Sequence, residues 1–250
     1  NGAISNIAIG YQALYDLTTG DYNTVAGHLA GTEMTTGEYN TIYGGFAGQN
    51  TLDVDSVVII GASAGQGVLT SDADGSVFVG SHAGYSITSG IGNIAIGYQA
   101  FDAATEVDYN TIIGHQAGTD MSGSAGTQAV ANTIVGYRAG YDQTTARFNT
   151  YMGKEAGYTN TTGESQTYLG AFAGYATTGS SYNTAVGSYA LYSGGGKTSG
   201  ITAIGFQSLF SYKTIGTGWG LDGGVMSAMT SVGFESALNA GTGNNNTVGG

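Results

Sequence analysis

The chain has no cysteine and no proline, five basic residues and a single tryptophan. Without cysteine, no disulfide staples the fold. Without proline, collagen is excluded, since its triple helix needs glycine at every third residue together with abundant proline. The basic residues are Arg138, Arg147, Lys154, Lys197 and Lys213, against a formal charge of −12. Nucleic-acid binding needs clustered Lys and Arg to neutralise phosphates, so this balance excludes it as a partner. The same deficit argues against anionic membrane surfaces. No apolar run approaches the roughly 18 residues of a membrane-spanning helix, and no signal peptide is visible.

What the chain has in excess is glycine, 46 residues in 250, and the glycine is periodic. The run Asn6-Ile7-Ala8-Ile9-Gly10-Tyr11-Gln12-Ala13 returns as Asn93-Ile94-Ala95-Ile96-Gly97-Tyr98-Gln99-Ala100. Aligned on the glycine, the unit recurs at Gly10, Gly27, Gly44, Gly61, Gly80, Gly97, Gly114, Gly136, Gly153, Gly170, Gly187, Gly205, Gly233 and Gly250. Nine of the 13 spacings are 17 residues, which predicts a solenoid of stacked coils. The phase holds throughout, so residues 1–250 read as a single repeat array, and both ends look cut from a longer one.

Counting from the Asn, position 1 is Asn in nine units, including Asn6, Asn93 and Asn110. Asn tolerates left-handed backbone, and stacked Asn side chains bond up a ladder; both uses are structural. Positions 2 to 4 have strand composition, as in Val58-Ile59-Ile60 and Thr111-Ile112-Ile113. Position 2 is Thr in ten units; position 3 is apolar nearly everywhere and never charged. Positions 2 and 4 share one face and position 3 takes the other. Both faces are expected to be covered. Positions 2 and 4 should line the coil interior, and apolar position 3 should meet a neighbouring chain.

Position 5, the glycine of Gly10, Gly27, Gly97 and Gly114, turns the corner. Position 8 is Ala in 11 of 13 complete units, Ala13 and Ala100 among them, which implies a narrow tube. Position 10 is often aromatic. The return segment carries Thr-Thr-Gly turns, then an aromatic residue before the next Asn. Seventeen residues would close a coil with two short strands and two turns. Acidic residues favour the return segment and predict a solvated stripe.

The unit Asn-Thr/Ile-x-Ile/Val-Gly-x-x-Ala resembles the head repeat of trimeric autotransporter adhesins. Units with Thr-Thr-Gly turns also look like repeats of bacteriophage tail-fibre and tail-spike proteins. The resemblance covers essentially the whole chain. It implies a left-handed parallel β-roll, a homotrimer, and an extracellular fibre on a virion or a bacterial surface that attaches to a host glycan or protein receptor. The coil is longer than the adhesin head's usual unit, and two units carry insertions, near residues 121–131 and 211–228.

Catalytic chemistry is not visible. His28, His82 and His115 lie in separate units and show no metal spacing or Ser-His-Asp arrangement. Asp53 and Asp55 end one unit, and Asp72 and Asp74 end the next. Stacking would bring four carboxylates to one corner, where Ca²⁺ could bind. Insertions in solenoids often form the binding face, so Trp219, Tyr212, Phe210 and Lys213, in or beside the second insertion, are the receptor-contact candidates. The expected function is therefore a non-enzymatic trimeric adhesive fibre segment. The alternatives are an architectural filament without a receptor site and an ice-binding solenoid using the Thr row.

Overall fold

The computed structural model describes residues 2–122, 129–195, 198–213, 226–227, 229–237 and 247–249. It is an all-β parallel solenoid of about 12 turns with 14 parallel repeat strands. The one helical element among the described residues is a single 3-10 turn, Ser71–Ala73. The chain divides into two compact units, Asn1–Ala131 and Asn132–Gly250.

In the first unit the repeat strands are β1 Ile7–Ile9, β2 Thr24–Ala26, β3 Thr41–Tyr43, β4 Val58–Ile60, β5 Val77–Val79, β6 Ile94–Ile96 and β7 Thr111–Ile113. Each pairs in parallel with the next in unshifted register, for example Thr24↔Thr41 and Val25↔Ile42. The second unit continues with β8 Thr133–Val135, β9 Thr150–Met152, β10 Thr167–Leu169, β11 Thr184–Val186, β12 Ser193–Gly195, β13 Thr198–Ser199, β14 Thr202–Ile204, β15 Ser211–Lys213, β16 Met226–Ser227, β17 Thr230–Val232 and β18 Thr247–Gly249. Its repeat strands are β8 to β11, β14, β17 and β18.

Each regular coil contributes one three-residue strand rather than two. The rest of the coil is hydrogen-bonded rung to rung without being a strand. At position 7, Leu29 N donates to Tyr11 O of the coil before (2.9 Å); at position 9, Gly31 N donates to Ala47 O of the coil after (3.0 Å). This needs left-handed backbone at alternate residues. Among the described residues, 27 non-glycine residues have positive φ, all at positions 7 and 9 or just before the next position 1, such as Gln12 (φ 51°), Leu14 (φ 53°) and Tyr22 (φ 58°). Such residues cost about 1–2 kcal/mol each, so a coil is stable only when its neighbours supply the bonds.

The position-5 glycines are required twice over, for backbone angle and for space. Gly10, Gly27, Gly97 and Gly114 all have positive φ (132°, 153°, 134° and 141°). A Cβ on Gly97 would sit 2.4 Å from Gly114 O in the next coil, and one on Gly10 would sit 2.3 Å from Gly27 O. The expected corner residue is thus also the point of closest approach between successive coils. Ala100 of the opposite wall is fully buried, as the narrow tube requires.

The Asn residues stack as a column, but its bonds run mainly from the backbone amide of one Asn to the side-chain oxygen of the Asn before, not from side chain to side chain. Asn40 N donates to Asn23 Oδ1 (3.0 Å), Asn23 N to Asn6 Oδ1 (2.8 Å) and Asn110 N to Asn93 Oδ1 (3.0 Å). The amide nitrogen spans the coil: Asn23 Nδ2 donates to Gly37 O (2.7 Å) and Asn149 Nδ2 to Gly163 O (2.9 Å). The left-handed residue is the one preceding the Asn, not the Asn itself. Apart from half-buried Asn6, these amides are buried, so each satisfied pair removes a desolvation cost of about 1–3 kcal/mol.

The strand faces are opposite to expectation. Position 3 points into the coil: Val25, Ile42, Ile59, Phe78, Ile112 and Ile134 are all buried. Positions 2 and 4 point out, as in Thr41 and Tyr43 of β3 and Thr167 and Leu169 of β10. The reason is volume. Position 8 alanines already occupy the opposite wall, and position 3 supplies the bulk between.

Position 9 completes that bulk by exchange. Where position 3 is small, position 9 is large: Ala95 with Phe101, Ala185 with Leu191, Ala203 with Leu209. Where position 3 is large, position 9 is glycine. A Cβ on Gly157 would lie 2.5 Å from Tyr151 Cε2, and one on Gly84 would lie 2.6 Å from Phe78 Cδ1. Most described coils thus hold one bulky group, contributed from either side; the coil with Ser231 at position 3 and Ala237 at position 9 is an exception.

Candidate functional site

The outward strand positions are uncharged; beside them, flanking position 6 carries Lys154. None of the 14 repeat strands carries an Asp, Glu, Lys or Arg, in a chain of net charge −12. Of the 24 large hydrophobic residues exposed among the described ones, 18 lie at strand positions 2 and 4 or at the residues immediately flanking the strand segment (positions 17 and 6). Nine fall in each unit. Ile9 and Tyr43 are each 64% exposed, Tyr182 67% and Phe234 69%. Ile9, Tyr11, Ala26, His28 and Tyr43 line a shallow groove on the first unit. The Thr rank at position 2 also faces outward, and in the second unit it is unbroken from Thr133 to Thr247.

The acidic stripe has a structural use. Asp21 Oδ1 accepts from Ile4 N (2.7 Å), Asp55 Oδ1 from Glu38 N (2.7 Å), Asp74 Oδ1 from Asp55 N (2.7 Å) and Asp108 Oδ1 from Ile91 N (3.0 Å). Each carboxylate caps the amide of the equivalent residue one coil earlier. Asp53 Oδ1 takes Ser71 N (3.0 Å), and Asp72 is exposed on the 3-10 turn. Burial raises the Asp74 carboxyl above the ordinary carboxylate range; its bond from Asp55 N opposes this, and the charges of Asp55, Asp53 and Asp72 add to it. The four aspartates are thus electrostatic neighbours. Among the described residues, however, no group of three or more His, Cys, Asp or Glu is arranged to hold a metal ion.

Of the receptor candidates, Trp219 lies outside the described residues. Tyr212 and Lys213 do not begin a free loop. They belong to β15, which pairs in parallel with β12 (Ser193↔Ser211). Thr198–Ser199 pairs likewise with Met226–Ser227, so both ends of the second insertion are stacked on the coil before. Met121 and Ala129, towards either end of the first insertion, are buried in the core. Phe210 ends an aromatic column. Its ring stacks on Tyr192 (5.0 Å between centroids, 6°), Tyr192 on Tyr175 (5.0 Å), Tyr175 on Tyr158 (5.1 Å) and Tyr158 on Tyr141 (5.3 Å). Arg138 lies over Tyr141, and Lys154 lies 4.9 Å from the Phe172 centroid. The sequence shows aromatics at position 10; the fixed period is the signal that they form one stack.

His28 and His115 are exposed and His82 is half-buried on the outer wall. Ser81 Oγ lies 2.9 Å from His82 Nδ1, and Asp102 faces His82 electrostatically. Burial raises the Asp102 carboxyl; His82 and a bond from Gln99 oppose that rise. No helix is long and apolar enough to cross a membrane among the described residues. Compared with family models, curated proteins and solved structures, the chain matches none.

Proposed function

We propose that this chain is a non-enzymatic, self-associating fibre segment, a homotrimer displayed on a cell or virion surface and used for attachment. The observation that carries the reading is the outward sheet face. Exposed apolar patches of this extent mark interaction surfaces. Uncharged along its strands, the face lets strongly acidic copies meet without like-charge repulsion. A second copy also presents the same rung spacing, so ranks match coil by coil. The contact expected of position 3 thus passes to positions 2 and 4.

Sedimentation at micromolar concentration tests this. The expected result is a trimer, with Tyr43→Glu plus Leu169→Glu giving a folded monomer. A wild-type chain that is folded and monomeric overturns it. Attachment to a glycan or protein receptor rests on the composition of the second insertion. Trp219→Ala should weaken adhesion to target cells while leaving melting unchanged; an architectural filament would show no adhesion at all.

Ice binding is the second reading, favoured by the outward Thr rank of the second unit. Met152, Leu169, Phe148 and Tyr182 are exposed on or beside that rank and break the flatness an ice plane requires. Absence of thermal hysteresis in the wild-type chain removes this reading.

A further inference from the structure

We propose that the outer tyrosine column Tyr141–Tyr158–Tyr175–Tyr192 is an oxidative cross-linking site, at which dityrosine bonds staple successive coils of this cysteine-free chain. The rings stack at 5.3, 5.1 and 5.0 Å with interplanar angles of 5°, 15° and 15°. Each is half-buried, so an oxidant reaches it while the neighbouring ring holds it in place. Neighbours lie 17 residues apart, so every link would join one coil to the next.

The co-reactant is a peroxide acting through a one-electron oxidant of the haem-peroxidase class. Each of two phenols loses one electron and its hydroxyl proton. The two radicals join through the ring carbons ortho to the hydroxyls, and the ortho protons return to oxygen to restore both phenols. The pair loses two hydrogens in all, and hydrogen peroxide takes them up and leaves as two waters. Holding the phenols side by side makes the coupling step effectively unimolecular, while the alternative, coupling between molecules, depends on concentration. A bond across each coil boundary would restrict the unfolded chain as a disulfide does.

The structure supplies its own control. Tyr151 and Tyr168 stack at 5.1 Å and 10°, the same geometry, but both are fully buried inside the coil. Their hydroxyls are engaged by Asn160 Nδ2 and by Thr177 Oγ1 (3.1 Å for the latter).

The test is to treat the full chain with peroxidase and hydrogen peroxide, then digest with trypsin. Cleavage after Arg138, Arg147, Lys154 and Lys197 separates Tyr141 (residues 139–147) and Tyr151 (148–154) from Tyr158 (155–197). The expected product is 139–147 joined to 155–197, lighter by two hydrogens, with dityrosine fluorescence. Tyr158→Phe should abolish this joined species. The variant should fold, because Phe210 already occupies the equivalent place in the column. The oxidised wild type should melt at higher temperature than the oxidised variant. Three outcomes overturn the proposal: no joined species, a joined species that survives Tyr158→Phe, or equal joining of 148–154 to 155–197. The readout is the same for a monomer or a trimer, so it stands or falls separately from self-association.

Discussion

The two units share one backbone and fill it differently. The first is packed with hydrocarbon: Val25, Met34, Ile42, Ile59, Leu69, Phe78, Ile87, Ile112 and Met121 are fully buried. The second buries the Tyr151–Tyr168 stack beside Gln143, Asn160 and Thr177, and further along a knot of serines. There Ser231 Oγ lies 2.8 Å from Ser236 Oγ and Ser208 Oγ donates to Ser231 Oγ (3.0 Å). The coil therefore does not depend on an oily interior. It depends on rung bonds, on the Asn column and on a filled cross-section, and a hydroxyl fills space as well as a methyl if it finds a partner.

The largest effect expected on this comparison comes from a charge in the hydrocarbon interior. Ile112→Asp should destabilise the first unit by about 3–5 kcal/mol, read as loss of cooperative melting, because nothing there can pair with it. Unchanged melting would mean that position 3 is not interior. The exchange between positions 3 and 9 gives the next effect. Phe101→Gly alone should cost about 3–5 kcal/mol by leaving a cavity. Adding Ala95→Ile should recover part of it, with a coupling of about 0.5–3 kcal/mol in a double-mutant cycle. Strict additivity would show that the two positions do not share one space.

Gln166 sharpens the contrast from the polar side. It occupies an Asn-column place in the second unit. Gln166 N donates to Asn149 Oδ1 (2.9 Å) and its amide nitrogen to Ser180 O, while its buried Oε1 has no partner. Gln166→Asn should restore the ladder and raise stability by about 1 kcal/mol, measured by denaturant midpoint. The smallest effect is on pH. Asp74, Asp102 and Asp120 are all raised, first by burial. An acid raised in the folded state favours folding when protonated. Its contribution is complete below the ordinary carboxylate pKa and is lost as pH rises through the folded value. The melting temperature should therefore climb modestly from pH 7 to pH 4; a fall would mean that the amide-capping carboxylates dominate instead.

The period and the parallel stack are legible in the sequence because glycine at position 5 and Asn at position 1 are each demanded by a backbone contact that recurs in coil after coil. Gly97 and Gly114, or Asn93 and Asn110, are such pairs. Which face of the strand is interior is not legible in the same way. Ile, Val and Thr suit either side of a parallel sheet, and a rule that charge marks the solvent fails when the solvent-facing side is itself uncharged. The deciding signal lies in the pairs Ala95/Phe101 and Ile112/Gly118, and a glycine that is merely frequent at position 9 does not disclose it. The acidic corner falls where the sequence puts it, but its use does not show there. A short carboxylate one coil away reaches a backbone amide as readily as a metal, and composition does not tell the two apart. Trp219 lies outside the described residues, so its part in receptor contact rests on sequence alone.

One property of the rung bonds reaches beyond stability. Outside the tight turns, the backbone bonds run from one coil to its neighbour, as from Thr18 N to Thr35 O (2.9 Å) and from Thr150 N to Gln166 O (2.8 Å). Within either unit, tension along the stacking direction is then carried in series. Every boundary bears the whole load, and the strength of the unit is that of its weakest boundary rather than a sum. Under tension such a stack would part first at a layer such as Ser208–Ser231–Ser236, where little hydrocarbon backs the hydrogen bonds.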